Sequence, residues 1–251
     1  MKKIIIKPQD KKINIAARAE VFLLDHIAGR GSRPSLEINI GAGARVQYVS
    51  ILDPAQSHFQ QERVINIAAK AEVSGYQAYF GSSQMTLKLS HNLGAQAVFH
   101  NHVLFYQTKD QNLQVQDDYI FQERGTAGRF QVEGLADDQA IVQYYSELII
   151  KPAAQLTDSR IDMRLHLLSP GAKGNLLPGL KIDANEVKAG HGASTFQLSP
   201  EDLFYLRSRG LNEKQVKFLV IDSLARRFTA DLKDRGTREL IIKLIKNRAG
   251  H

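Results

Sequence analysis

The sequence predicts an all-β solenoid, a parallel β-helix followed by a short helical segment. Near-identical octapeptides recur along the first part of the chain: NIAARAEV at 14–21, NIGAGARV at 39–46 and NIAAKAEV at 66–73. Segments of alternating apolar and polar residues flank them, which is the pattern of strands with one buried face. A helical period replaces this alternation only near the C-terminus.

Each repeat contains two strands and a turn of small residues. Apolar residues alternate before the turn, as at Leu36 and Ile38, and after it, as at Val46 and Tyr48. No helix-length segment separates the strands, so the usual crossover of parallel sheets is missing and stacked turns are favoured. An antiparallel sandwich is the alternative, although the Asn-Gly and Asp-Gly dipeptides of hairpins are absent. The repeats lie 25, 27 and 24 residues apart when anchored at these alanines: Ala19, Ala44, Ala71 and Ala95.

The middle of the chain, 108–134, is less regular and predicts longer loops or distorted turns. Its polar interruptions include Asp117 and Asp118, and a second acidic pair follows at Asp137 and Asp138. Paired carboxylates can serve as general acid and base or bind a divalent cation. The alternative interpretation is that all four are solvated turn residues.

The pattern divides the chain into a β-helix core over 1–198 and a helical segment over 199–251. Ser199 is a helix N-cap with Pro200 at the first position, and Gly210 ends this first helix. A capping-box spacing at Asn212 and Gln215 begins a second helix.

A third helix is predicted over 238–247. The apolar stripe of the second helix contains these residues: Val216, Leu219, Val220, Leu224 and Phe228. The helices are expected to cap the last turn of the solenoid, to offer a docking surface to a partner, or both.

Composition excludes several classes of function. The 251 residues contain no cysteine, so neither disulfides nor thiolate nucleophiles nor thiolate metal sites can form from this chain alone. No phosphate-binding loop, nucleophile elbow or HExxH zinc motif occurs, and the chain is not expected to hydrolyse ATP. No apolar run is long enough for a membrane span, and the N-terminus lacks the features of a signal peptide. A cytoplasmic protein is expected.

The net charge of +7 is concentrated near the C-terminus. Such a basic patch suits nucleic acid or an acidic protein surface, and a solvated helix face is the ordinary alternative. We expect no nucleic-acid partner.

Four histidines are candidate metal ligands. His100 and His102 share one face of a predicted strand, with His91 one strand earlier, and a polar outward face is the alternative. His191 lies between Gly190 and Gly192, where the imidazole is unshielded by neighbouring side chains. A turn histidine that fills a corner is the alternative there.

The stretch from Leu180 to Gly210 resembles the C-terminal signature of the SufB/SufD family of iron–sulfur cluster assembly proteins. The specific part is DANEVKAGHGA, at 183–193, with LFYLRSRG at 203–210. The family motif K-C-S-H-G appears here as KAGHG, with Ala189 in place of the cysteine. The general repeat pattern extends the resemblance over roughly 21–228.

The resemblance implies a right-handed parallel β-helix with a helical C-terminal segment. It also implies a non-catalytic scaffold subunit that pairs through the β-helix ends with a SufB-like subunit or with itself. The C-terminal helices, about 200–228, would bind a SufC-like ABC ATPase. The residues expected at that contact are Leu203, Phe204, Tyr205, Arg207, Arg209, Val216 and Leu219.

By the same resemblance His191 is a candidate iron ligand at the dimer interface. Because Ala189 replaces the cysteine, the chain resembles SufD, not SufB. A transient Fe–S cluster would need sulfur ligands from a cysteine-bearing partner. The chain also enters its first strand near Ile4, as in a short SufD without the N-terminal helical region.

The alternative function is a carbohydrate-active β-helix enzyme, a polysaccharide lyase or hydrolase, that uses the four aspartates named above.

Overall fold

The computed structural model describes residues 1–197 and 208–249 as a parallel β-solenoid of about seven turns with two short helices. Strands of odd and even number form separate sheets of eight and seven strands, each ordered along the solenoid axis. The eight-stranded sheet contains β1 Lys2–Ile6, β3 Glu20–Gly29, β5 Arg45–Pro54, β7 Glu72–Tyr79, β9 Val98–Gln107, β11 Ala127–Ala136, β13 Thr157–Leu167 and β15 Val187–Gln197. The seven-stranded sheet contains β2 Lys12–Ile15, β4 Ser35–Ile40, β6 His58–Ile67, β8 Gln84–Leu93, β10 Asn112–Phe121, β12 Ile141–Ile150 and β14 Lys173–Ile182.

The predicted fold class is confirmed, and the sandwich alternative is wrong because all paired strands run parallel, as the register of β2 with β4 illustrates. The repeated octapeptides stack in register and begin an asparagine ladder on the outside of the seven-stranded sheet. Asn39 donates to Asn14 at 3.0 Å, Asn66 to Asn39 at 2.7 Å and Asn92 to Asn66 at 2.9 Å. Each amide therefore fixes the register of the next turn.

The ladder corrects the fourth repeat. Asn66 pairs with Asn92, so this unit begins at Asn92 and its anchor is Ala97, two residues after the predicted Ala95. The anchors Ala44, Ala71 and Ala97 are fully buried, where a larger side chain would collide with the adjacent turn. The residue before each of these anchors has a positive φ: Gly43, Lys70 and Gln96.

The middle of the chain is as regular as the rest, contrary to the prediction of longer loops. Strands β10 and β11 have ten residues each and are in register with their neighbours on both sides. The polar residues that suggested irregularity lie on the two faces of the regular strand β10. Gln114 and Gln116 face solvent on the outside, whereas Asp117 is fully buried inside the solenoid.

Two helices follow the solenoid in the described residues. Helix α1 spans Glu213–Thr229 and has the predicted Asn212–Gln215 capping box, and α2 spans Arg235–Arg248 with Asp234 as N-cap. The predicted first helix falls mainly on 198–207, outside the described residues, and Gly210 has the positive φ expected after a helix end. The buried face of α1 includes Ile221 and excludes Leu219, which corrects the predicted stripe.

The two described helices do not cap the last turn; they lie across the outer face of the eight-stranded sheet. Ile221, Leu224 and Phe228 of α1 and Ile241 and Ile245 of α2 share one apolar cluster with the outward side chains of the sheet. Those outward side chains come from strands along much of the solenoid: Phe22, Val49, Ile51, Tyr76, Ala78, Leu104, Tyr106 and Leu135. The sheet therefore has two buried faces, because an apolar outer surface of this extent needs a cover.

Ion pairs fasten the edges of this helical layer. Lys217 of α1 donates to Asp137 at 2.8 Å, and Arg227 donates to Glu133 of β11 at 2.8 Å. The N-cap Asp234 accepts from Lys3 of β1 at 2.8 Å. The helical layer is thus held to the first strand of the sheet and to the strands near its far end.

These carboxylates make the helical layer sensitive to acid. Hydrogen bonds from Lys3 and Thr237 lower the pKa of Asp234 to about 2. Burial acts to raise the pKa of Asp137 and of Glu133, but the basic and hydroxyl partners of these carboxylates outweigh it and lower the pKa of both. Because each folded pKa lies below its unfolded value near 4, the stabilisation is present above about pH 4 and is lost as the pH falls toward 2.

We therefore expect α1 and α2 to lose amide-exchange protection between about pH 4 and pH 2, before the strands of the solenoid do. Rates corrected for the intrinsic pH dependence of exchange measure this directly. Simultaneous loss of protection in helices and strands would show that the ion pairs do not control helix docking.

No helix within 1–197 and 208–249 combines the length and the apolar character needed to cross a bilayer.

Candidate functional site

His191 lies in the middle of a strand, not in a turn between strand and helix as the glycines suggested. It belongs to β15, the last strand of the eight-stranded sheet, and is in register with Ile161 of β13. Ile161 is fully buried in the core. Parallel neighbours in register share a face, so His191 is on the side of β15 that continues the inner wall of the solenoid.

The imidazole is exposed, and within 1–197 and 208–249 no further strand covers this end of the solenoid. Among the described strands, β15 has β13 as its neighbour and β14 has β12, and each leaves its other edge free. Val187 and Ala189 are partly buried against the core, while Ile182 of β14 is 41% exposed. The His191 side chain thus lies at the exposed edge of the apolar core, on the last described strand of the solenoid.

The described residues at this end of the solenoid do not form a complete metal site by themselves. Within 1–197 and 208–249, no group of three or more His, Asp or Glu side chains is arranged to hold a metal ion. Ala189 is two residues before His191 and therefore lies on the same face of β15. Ala189, in the place of the motif cysteine, and His191 therefore share one face of the last described strand.

The predicted docking residues have different positions. Leu203, Phe204, Tyr205 and Arg207 lie outside the described residues. Arg209 is exposed just before α1, and Leu219 is 54% exposed on the outer side of that helix. Val216 is 3% exposed and packs within the chain, so it cannot serve as a contact in this conformation.

Comparisons with known proteins identify the family of this chain. The family described as "SUF system FeS cluster assembly, SufBD core domain" matches residues 9–224. The chain belongs to the SufBD family.

Relatives with SufD names are among the similar proteins. SufD of Escherichia coli K12 is 23% identical over 247 residues, which cover 94% of this chain and 57% of that protein. SufD of Bacillus subtilis is 30% identical over 99 residues, 39% of this chain and 23% of that protein. A SufBD family protein of Synechocystis is 40% identical over 91 residues, 36% of this chain and 20% of that protein. The chain therefore spans little more than half the length of the relatives it matches, or less.

The four aspartates of the carbohydrate-enzyme alternative do not converge in one groove. Asp117 points into the core, and Asp118, the next residue, is on the outer face of the seven-stranded sheet. Asp137 follows β11 in the other sheet and binds Lys217 of α1. Asp138 accepts from the backbone of Lys109. This SufBD protein therefore has no paired-carboxylate groove built from these residues.

Of the three histidines considered as a metal site, His91 is separated from His100 and His102, which share the outer face of one strand as predicted. His91 is fully buried within the solenoid, whereas His100 and His102 are on the outer side of β9 in the other sheet. The ring of His102 stacks on that of Tyr76, with 5.2 Å between the ring centroids, next to the helical layer. Burial lowers the pKa of both His100 and His102, and Arg129 adds to the effect at His100.

A buried polar network inside the solenoid escaped the sequence prediction. Asp117 accepts hydrogen bonds from Tyr119 and Tyr144 at 2.8 and 2.7 Å, and its other oxygen is 2.8 Å from Nε2 of His91. Burial raises the pKa of both tyrosines well above the usual value, and the Asp117 charge adds to it. Both phenols remain neutral donors to the carboxylate.

A second buried polar cluster inside the solenoid contains two arginines. Asp25 is 2.6 Å from Arg33 and 3.5 Å from Arg63, and all three are buried. Arg63 also donates to Gln77 at 3.0 Å. The sequence contained an indication that these charged residues face inward. Arg63 alternates in phase with the apolar Phe59, and Asp117 alternates in phase with the apolar residues of its own strand.

Proposed function

We propose that this SufBD protein is a non-catalytic scaffold subunit of a cytoplasmic Suf-type assembly complex. In this proposal its open end pairs with a SufB-like subunit or with a second copy. The observation that carries the proposal is the position of His191, exposed on an edge strand and on the inner-wall side of an unsealed solenoid end. The Fe–S cluster is the cargo, and His191 supplies one imidazole to the site where it is formed.

The two ends of the solenoid differ in a way that supports this pairing. Five lysines lie in or beside the first two strands: Lys2, Lys3, Lys7, Lys11 and Lys12. Lysines on an edge oppose the addition of another strand. The last two strands, β14 and β15, are longer and carry three lysines, Lys173, Lys181 and Lys188, and Phe196 of β15 is 50% exposed. The lysines are therefore more densely spaced at the N-terminal edge, and the C-terminal edge is the better suited of the two to an interface.

Replacing His191 with alanine is expected to reduce cluster formation by the assembled complex at least tenfold without changing its melting temperature. The residue is exposed, so its loss leaves no cavity. Cluster transfer to an apo-ferredoxin measures the first effect and a thermal scan the second. The matched control is His58→Ala, another exposed strand histidine, in the opposite sheet. Equal transfer by both variants would contradict the role of His191.

Co-expression with a cysteine-bearing paralogue and an ABC-type ATPase tests the partners. Joint purification supports the scaffold role, and the mass of the complex distinguishes a mixed pair from two copies of this chain. A chain that remains alone in the presence of both proteins would overturn the proposal.

We further propose that the ATPase contacts the outer side of α1. The inner side already packs on the sheet, so the partner must use what the helix presents outward. Leu219 is 54% exposed on that outer side and fits an apolar pocket of the partner.

Changing Leu219 to aspartate is therefore expected to weaken ATPase capture by ten- to a hundredfold, about 1.4–2.8 kcal/mol, because it places a charge in an apolar contact. Titration calorimetry or surface plasmon resonance measures the loss. Asn247→Asp, at an exposed position on α2, is the control for added charge. Unchanged affinity in Leu219→Asp would place the ATPase elsewhere.

A further inference from the structure

The two glycines beside His191 face away from the imidazole. His191 shares the inner-wall side with Ile161, so Gly190 and Gly192 are on the outer side of β15. They are in register with Arg160 and Asp162 of the neighbouring strand β13. Their lack of a side chain is therefore a property of the outer surface of the sheet, and it does not serve to uncover His191.

That outer surface holds a bidentate ion pair. Nε and Nη2 of Arg160 donate to the two carboxylate oxygens of Asp162 at 2.8 and 2.7 Å. The pair leans across the backbone of β15. A Cβ at Gly192 would lie 3.0 Å from Oδ1 of Asp162, and one at Gly190 would lie 3.2 Å from Nη1 of Arg160. Both distances are tighter than ordinary contacts, so the pair occupies the space that the glycines leave.

The strand that carries His191 needs such support. Among the described strands β15 is hydrogen-bonded to β13 alone, and edge strands fray more readily than central ones. The planar guanidinium–carboxylate unit is rigid because two parallel hydrogen bonds fix its geometry. It covers the backbone on both sides of residue 191, from the face opposite to the imidazole.

We propose that Arg160 and Asp162 are positioning residues for His191, which hold β15 so that the imidazole keeps its place at the open end. This inference rests on the proposed role of His191. Because the pair lies on the other face of the strand, it acts through the backbone and not through its charge. Reversing the sign of both partners should therefore preserve its effect.

The test compares Arg160→Asp, Asp162→Arg and the double variant with exchanged charges in the full chain. Each single variant should speed amide exchange at residues 190–192 by roughly two- to fivefold, the range for an exposed ion pair. Strand β14, at the same end, should be unaffected. The double variant should restore slow exchange and the unperturbed NMR signals of the His191 ring. Unchanged exchange in the single variants, or failure of the double variant to restore it, would overturn the inference.

A second pair of variants tests the space itself. Gly192→Ala should speed exchange around His191 because the new methyl group displaces Asp162. Gly179→Ala is the control on β14, where a Cβ meets only an ordinary contact at 3.4 Å from Glu147. Cluster transfer by the same proteins separates the two hypotheses. If exchange responds as expected but His191→Ala transfers clusters normally, the proposed role of His191 fails while the structural effect of the pair stands.

Discussion

Replacing Asp117 with asparagine is expected to lower the free energy of unfolding by about 3–5 kcal/mol. The carboxylate is fully buried and receives hydrogen bonds from two tyrosines, with His91 at its other oxygen. It also offsets part of the positive charge of Arg63 deeper in the solenoid. An amide of the same shape removes that charge and turns a donor toward other donors, which leaves buried groups unpaired.

Guanidinium titration followed by far-UV circular dichroism measures the change. The control is the adjacent Asp118→Asn on the outer face of the same strand. Burial, Asp117 and Glu147 together raise the pKa of Asp118, so loss of its charge should cost under about 0.5 kcal/mol. Similar losses of unfolding free energy in the two variants would mean that the buried polar network around Asp117 does not stabilise the solenoid.

Truncation of Phe228 to alanine is expected to weaken the docking of the helical layer by about 3 kcal/mol or more. The ring is 7% exposed and packs edge-to-face on Tyr76 of β7, at 5.8 Å between centroids. Its loss opens a cavity between α1 and the sheet. Since Phe228 contacts the outer face, the lumen-facing core of the solenoid should be little affected.

Hydrogen exchange resolved by segment measures this result, as faster exchange in α1 and α2 with protected solenoid strands. Leu219→Ala, a truncation on the exposed side of the same helix, serves as the control and should change neither segment. Uniform loss of protection in helices and strands would show that the two layers unfold as one unit.

The position of the helices shows where prediction from the sequence ended. The spacing of apolar residues in α1 and α2 predicted helices with one buried face, and the capping box at Asn212 located the start of α1. The surface that receives them is made by side chains from successive turns, such as Val49, Tyr76 and Leu104. These residues are far apart in the sequence and form one patch only after the strands have stacked.

The site shows the same division. The sequence singled out His191 and the absent cysteine at Ala189, and it interpreted the adjacent glycines as exposing the imidazole. Register then placed Gly190 and Gly192 against Arg160 and Asp162, on the other face of the strand. The partner of a strand residue depends on alignment with a strand some thirty residues away, which local spacing does not encode.

The sequence by itself determined the parallel solenoid, the repeat length, the SufBD resemblance and the candidate imidazole, because a period of two and a recurring octapeptide are local properties of the chain. The alternation also contains an indication that Asp117 and Arg63 face inward, but the prediction made from the sequence did not include it. Only the tertiary structure decided that Arg63 pairs with Asp25 across the interior of the solenoid, that the described helices cover the outer face of the sheet and that His191 lies at an open end. Each of these facts depends on which turns stack beside each other, and stacking joins residues that the sequence keeps apart.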